Sequence, residues 1–450
     1  MSEAVLNQIA DSVIRMAREK GATGAECTVS EGDEFTVMVR QGEVDSLKEA
    51  GSRGAGLRVM AGRRTGSAYT SDLSSEGLAK MVGSAMELAT ITSEDPHAGL
   101  PEASELGKYE GDLKLFYADP PELDALAKIA AARTAESAAF AVDSRIFTTE
   151  GASVDSYQGA RAFANSDGFA GSYRSSNCSL SCVPVAKQDE SMERDYWYSS
   201  ARAWHMLEDP ADIGRRAAIR ALRRLGARKV PTQKAAIVFE PRIARSLLGH
   251  IFEAVSGDSI YRDSSFLAGK LGQKIAHENL TVIDDGTIPG LFGSSPFDDE
   301  GVPSRRTVVI EKGVLKSYLL NSYTARKLGM KTTGNASRGI TGNASVGHGN
   351  FYIPAGELPP GEIIKQIKTG FYVTELIGFG VNIVTGDYSR GAAGVWIENG
   401  ELTYPVNEVT IAGSLIQMLQ QFEAIGTDLE FRGSIAAPTL MIPEMTISGQ

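Results

Sequence analysis

Cysteine is scarce and odd in number: the 450 residues hold three, Cys27, Cys178 and Cys182. That excludes a disulfide-stapled scaffold and fits a reducing compartment. Cys178 and Cys182 share one face of a strand if the segment is extended, and read as two ordinary buried thiols. Histidine is nearly as scarce. His97, His205, His250, His277 and His348 form no pair at metal-ligand spacing. No run approaches the ~20 apolar residues that span a bilayer. Met1-Ser2-Glu3-Ala4 opens the chain without a basic segment or a long apolar core. The expected location is cytoplasmic, with no membrane partner. Positive charge is short as well. The net charge is −11 and the isoelectric point about 5.2, which argues against a nucleic-acid partner.

What is present is a globular composition, 42% hydrophobic and 22% charged. The length is too great for one ordinary core. The expected architecture is α+β and two-lobed, residues 1–226 and 227–450, with mixed and antiparallel sheets flanked by helices. Leu6, Ile9, Val13 and Met16 recur at helical spacing and Gly21 stops them. Cys27–Ser30 and Phe35–Arg40 read as two strands, and Gly54–Met60 with Thr65–Thr70 as a hairpin. Ser74 caps a helix, Pro121–Ala141 reads as another, and Asp209-Pro210 opens a third that ends at Leu225-Gly226. Between them, 145–204 is strand-rich, with turns expected at Gly159 and Asp167-Gly168. The basic stretch Arg215 to Lys229 reads as a solvated face or helix C-terminus. In the second half, Ala235–Phe239 is a buried strand. Hairpins cross Glu311-Lys312-Gly313 and Asn399-Gly400. Ile411–Ile425 reads as a last helix and Thr439–Ile442 as a last strand.

The chemistry concentrates on one helix pattern, Leu247 to Asp258. A zinc-peptidase helix sets two histidines on one face with a glutamate beside the first. Here His250 stands alone, with Glu253 three positions later. Asp298-Asp299-Glu300 reads as a solvated or salt-bridged turn. Thr333-Gly334-Asn335-Ala336-Ser337 is echoed at 341–345 and reads either as a mobile loop or as one that wraps a ligand backbone. There is no nucleophile elbow and no phosphate loop. Asp387, Tyr388, Ser389 and Arg390, followed by Gly391 and Gly394, suit substrate holding or an interface better than catalysis. Tyr388 offers an aromatic wall and Arg390 a planar fork.

The segments Asp298-Asp299-Glu300-Gly301-Val302-Pro303, Gly386 to Gly394, Ile397-Glu398-Asn399-Gly400-Glu401 and Tyr404-Pro405-Val406 resemble the TldD/PmbA family, in order and over most of the chain. Thr333–Ala336 and Pro443–Gly449 fit it as well. The resemblance implies a TldD/PmbA-like fold and a two-subunit cytoplasmic metallopeptidase. In TldD-type subunits, His-Glu-x-x-x-His and a C-terminal cysteine hold zinc. This chain departs at each place: it reads Gly249-His250-Ile251-Phe252-Glu253-Ala254, and no cysteine follows Cys182. The departure is similar to PmbA-type (TldE-type) subunits. It implies no catalytic residue, metal ligand or cofactor in this chain, with zinc in a TldD-type partner. The implied assembly is a heterodimer that degrades extended, flexible peptides and removes leader segments. A homodimer remains open when the partner is absent. His250, Glu253, Asp387, Tyr388, Ser389 and Arg390 stand as substrate-binding or interface candidates. The rivals are a stand-alone peptide-binding or regulatory protein and a self-sufficient hydrolase with a non-zinc site.

Overall fold

A computed structural model describes residues 2–449. The first half is built on one antiparallel sheet of seven strands. Their spatial order is Arg64–Thr70, Glu43–Ala61, Gly24–Arg40, Ile146–Asn165, Ala170–Gln188 and Ser191–Arg194, with Trp197–Ala201 also pairing Ala170–Gln188. Side chains alternate across a strand. Ala25, Cys27, Val29, Val37 and Val39 therefore share one face of Gly24–Arg40, and all are fully buried. Helices Glu3–Glu19 and Ser75–Ile91 cover one end of that face. Helices Ala125–Phe140 and Pro210–Arg223 cover the other. Each starts at a side-chain cap: Ser2, Ser74, Asp124 and Asp209 accept backbone N–H bonds, worth about 1 kcal/mol apiece. Cys178 and Cys182 lie on this buried face as free thiols. Burial pushes both up to about 12.

The opposite face of the sheet is polar, and it lies against the second half of the chain. Glu26 is fully buried and pairs with Arg338 and Arg58. Arg161 pairs with Asp299 at 2.7 Å. Phe163 and Tyr173 meet Phe297 at ring separations of 6.5 and 5.6 Å.

The second half has two main sheets, beside a two-stranded ribbon of Ala336–Ser337 and Ser345–Val346. One runs Val314–Leu315, Arg306–Glu311, Val282–Asp285, Asn350–Tyr352, Ile435–Ala436. In the other, Thr369–Ile377, Gln233–Phe239, Leu440–Ser448, Glu401–Ser414 and Asp387–Glu398 pair in sequence, and the last pairs back to the first. This ring leaves its members few free edges. Helix Pro241–Val255 packs between the two sheets and buries Leu247, Leu248 and Ile251. The turn Asn399-Gly400 has φ of 51° and 84°, the left-handed pair a two-residue hairpin needs.

Several expected elements differ in extent. The two strands expected around Cys27 and Phe35 are one, because Glu31–Glu34 stays paired to both neighbours. Gly159 is not a turn. It sits in mid-strand opposite Gly32 and Ser175, and a Cβ there would lie 2.1 Å from the Tyr157 hydroxyl oxygen. The glycine makes room for a ring, not for a bend. The expected helix 411–425 is helical only over Leu415–Gln420, since Ile411 belongs to a paired strand. The basic stretch is solvated only in part: Arg215 and Arg216 are exposed, whereas Arg220, Arg223 and Arg224 turn inward.

Candidate functional site

Helix Pro241–Val255 starts on Pro241, whose missing N–H is no loss at the first helical position. His250 is half-buried on it, and its Nε2 has no hydrogen-bond partner. The imidazole stands edge-on to the Tyr388 ring, 6.3 Å between centroids. Burial, then the charge of Arg390, push its pKa below the usual histidine value. The ring is thus held neutral. Tyr388 is 1% exposed, and its hydroxyl is also buried without a partner. Burial raises its pKa. Arg390 donates from Nε to the Ile377 carbonyl at 3.4 Å.

The structure therefore brings His250, Tyr388 and Arg390 together and leaves the other candidates apart. Asp387 and Ser389 flank Tyr388 on the strand and point the other way, into solvent. Asp387 accepts a bond from the Thr385 hydroxyl at 2.6 Å. Glu253 is exposed. Its neighbour Phe252 packs on His348 and Phe351 at 4.7 and 5.8 Å. With ~100° between successive residues, Phe252 and His250 face nearly opposite sides. Among the described residues, no group of three or more His, Cys, Asp or Glu side chains is placed to hold a metal ion.

Phe252 and His348 lead to a polar cavity of about 280 Å³ at the junction of the two halves, lined among others by Asp284, Asp298, Asn335, His348, Arg161 and Ser434. Asp284 is 3% exposed. Asn335 donates to its Oδ2 at 2.7 Å, while its Oδ1 is buried without a partner. Burial outweighs the Asn335 bond and the nearby Gly349 N–H and pushes its carboxyl up to about 7. Asp298 is 6% exposed and accepts three backbone N–H bonds, from Glu300, Val302 and Ala336, each at 2.9 Å. Glu300 is 1% exposed and accepts the Ser322 N–H at 2.8 Å. The turn expected to be solvated or salt-bridged is salt-bridged at Asp299, which reaches the half-exposed edge and Arg161, whereas Asp298 and Glu300 are buried. The Thr333–Ser337 loop is no free loop either. Asn335 and Ala336 are buried and bind these carboxylates, whereas its echo at 341–345 is largely exposed. Gly293 lets the floor close: a Cβ there would meet the Gly349 carbonyl oxygen at 2.2 Å.

Sequence reasoning did not single out Asp284 or make anything of His348. The available signals were the Asp284-Asp285-Gly286 sequence ending an apolar strand and the glycines either side of His348, neither of which has a motif's specificity.

Residues 232–449 match the PmbA/TldA metallopeptidase C-terminal domain, 118–225 the central domain and 25–89 domain 1 of the same group. The chain belongs to the PmbA/TldD metallopeptidase family. Metalloprotease PmbA of Escherichia coli O157:H7 is 40% identical over 446 residues, covering 99% of this chain and 96% of that protein. The Haemophilus influenzae metalloprotease PmbA homolog is 35% identical, covering 99% of this chain and 97% of its own length. In three dimensions the fold matches TldE from Thermococcus kodakarensis with a TM-score of 0.88 at 23% identity, over 98% of this chain and all of that one. A proposed modulator of DNA gyrase from Bacteroides thetaiotaomicron matches with a TM-score of 0.91 at 28% identity, over 98% of each chain. Within the family the likeness is to PmbA/TldE, and the α+β fold with antiparallel sheets is theirs.

Proposed function

We propose that this chain is the metal-free subunit of a two-subunit TldD/PmbA-type peptidase, working in the cytoplasm beside a TldD-type partner that supplies the zinc. The observation that carries this reading is the setting of His250. It is a single, neutral imidazole against Tyr388 and Arg390, and among the described residues it belongs to no group of three or more His, Cys, Asp or Glu side chains that could hold a metal ion. A catalytic zinc takes three protein ligands. When bound, it lowers the pKa of water and polarises the scissile carbonyl. The contribution of this chain is to hold the partner and the extended peptide. Ile377, Phe379 and Val384 support that role. They are 58%, 98% and 53% exposed, at the end of strand Thr369–Ile377 beside Arg390 and in the segment after it, and such apolar exposure marks contact surfaces. Three buried thiols with no disulfide fit the cytoplasmic assignment.

The test is reconstitution. The purified chain is expected to hold no stoichiometric zinc and to cleave no flexible peptide alone. Chelator-sensitive cleavage should appear on adding a TldD-type chain from the same genome. In the complex, Arg390→Ala and Phe379→Ser should weaken association or cleavage by roughly tenfold with an unchanged melting temperature. One tightly held zinc per chain, lost in His250→Ala, would sink the reading, as would chelator-sensitive cleavage by the chain alone.

A further inference from the structure

The inward-turned part of the basic stretch lines a second cavity, about 290 Å³, whose lining shares no residue with that of the Asp284 cavity. Five arginines line it: Arg220, Arg223, Arg242, Arg245 and Arg432. Three are already neutralised. Arg220 makes a two-pronged bond to Glu240 at 3.0 and 2.7 Å. Arg242 reaches Glu240 and Asp195 at 3.2 and 3.3 Å. Arg432 pairs with Glu208 and Glu430 at 2.6 and 2.7 Å. The other two make no salt bridge among the described residues, although the carboxylates of Glu240 and Asp195 lie near enough to attract Arg223. Arg245 donates to the Tyr198 hydroxyl at 2.9 Å, and no carboxylate among the described residues pairs with it. The Nη2 of Arg223 is buried with no partner at all.

An unpaired guanidinium is weakly hydrated and presents a planar fork of donors. Burying it without an acceptor is unfavourable. A site that keeps one in a cavity is short of an anion. The remaining wall is apolar and aromatic, from Trp197, Tyr372, Ile435, Ala436 and Ala437, apart from Asp428, whose carboxylate accepts the Thr439 N–H at 2.9 Å and the Thr439 hydroxyl at 2.7 Å. The 15-residue helix Pro241–Val255 starts here, and its N-terminal residue Glu240 gives it no side-chain cap. Its positive end adds to the field. The volume lies at the lower limit for small-ligand sites, which excludes a large polyphosphate.

We infer that this cavity is an oxyanion site, with Arg223 and Arg245 as the receiving pair, for a small ligand that joins one carboxylate or phosphate group to an apolar or aromatic body. The free C-terminus of a short peptide has this chemistry, and so does a phosphorylated small molecule. The inference stands apart from the peptidase reading, because it rests on an unpaired cation and not on the partner.

Calorimetric titration of the full chain with N-acetylphenylalanine, N-acetylphenylalanine amide and phenyl phosphate tests it. At least one of the two acids should bind saturably, and the amide about tenfold more weakly or not at all. Binding by the carboxylate alone assigns a peptide-like acid. Binding by the phosphate alone assigns a phosphate ester, and binding by both assigns a general oxyanion site. Arg223→Gln and Arg245→Gln should each weaken binding by about tenfold or more, while Arg215→Gln, exposed on the same helix as Arg223, should not. The ligand-free Arg223→Gln protein should melt at or above the wild-type temperature, because an uncompensated buried charge has gone. Four results would overturn the inference: no saturable binding of either acid, equal binding of the amide, titrations unchanged by both inner substitutions, or a clear fall in the melting temperature of Arg223→Gln.

Discussion

At Asp284, burial opposes ionisation, and only the Asn335 amide and the Gly349 N–H oppose burial. The unfolded carboxyl ionises near 3.8 and the folded one near 7. Between those values the folded chain holds a proton that the unfolded chain has released. Stability therefore falls as pH rises through this window and levels off above it. Asp284→Asn keeps an amide oxygen for Asn335 and has no charge to bury. It should be more stable than wild type, by on the order of a few kcal/mol above about pH 7, and the difference should shrink towards pH 4. Urea denaturation of both proteins across that range checks this, and a gap that grows towards acid would refute it. At this scale the sequence was only partly legible. The His250 position and the order of the acidic motif could be read. The burial of Asp298 and Glu300 could not, because it depends on Ala336 and Ser322 arriving from other segments.

The strand Asp387–Glu398 shows why glycines in a pattern mislead about function. Gly391 and Gly394 suggested room for a peptide backbone. Both lie in a strand paired on either side, by Thr369–Ile377 and Glu401–Ser414, so no ladder position is open there for an added strand. A Cβ at Gly394 would sit 2.0 Å from the Tyr372 carbonyl oxygen, whereas at Gly391 the nearest atom is the Ile377 Cβ at 3.3 Å. Gly394→Ala should cost about 1–3 kcal/mol through forced backbone movement, and Gly391→Ala clearly less. Thermal melts of the two variants decide this. Similar, near-zero effects together with impaired peptide cleavage would restore the substrate-channel reading. Elements with a local signature were legible: the helices capped by Ser74 and Asp209 and the Asn399-Gly400 hairpin follow from neighbours in sequence, whereas the helix expected over 121–141 runs over Ala125–Phe140 from the Asp124 cap. The closure of the ring was not, since strand 369–377 meets 233–239 and 387–398 through contacts that no local pattern encodes.

Across the whole molecule, the two halves meet through charge as much as through apolar packing. Glu26 and Arg58 stand on the first sheet, and Arg338 arrives from 312 positions away in the chain. Burial alone would raise the Glu26 carboxyl, but the charges of Arg338 and Arg58 hold it below its ordinary value. Chain length suggested two lobes. The sequence did not announce this contact, because Glu26 shares the polar positions of an alternating strand with Thr28 and Ser30 and so reads as facing solvent. A buried ion cluster adds little over apolar packing, but removing one member strands the rest. Glu26→Gln leaves Arg58 and Arg338 without their shared counter-charge and should cost about 3–5 kcal/mol. The sign with pH follows from the lowered value. The ionised carboxylate contributes fully above the unfolded value near 4.5, and its contribution is lost as pH falls through the folded one. The gap between wild type and Glu26→Gln should therefore be widest near neutrality and narrow in acid. Urea midpoints at neutral and acidic pH measure it. A Glu26→Gln midpoint equal to wild type at neutral pH would mean that apolar contacts such as Phe163, Tyr173 and Phe297 hold the junction by themselves.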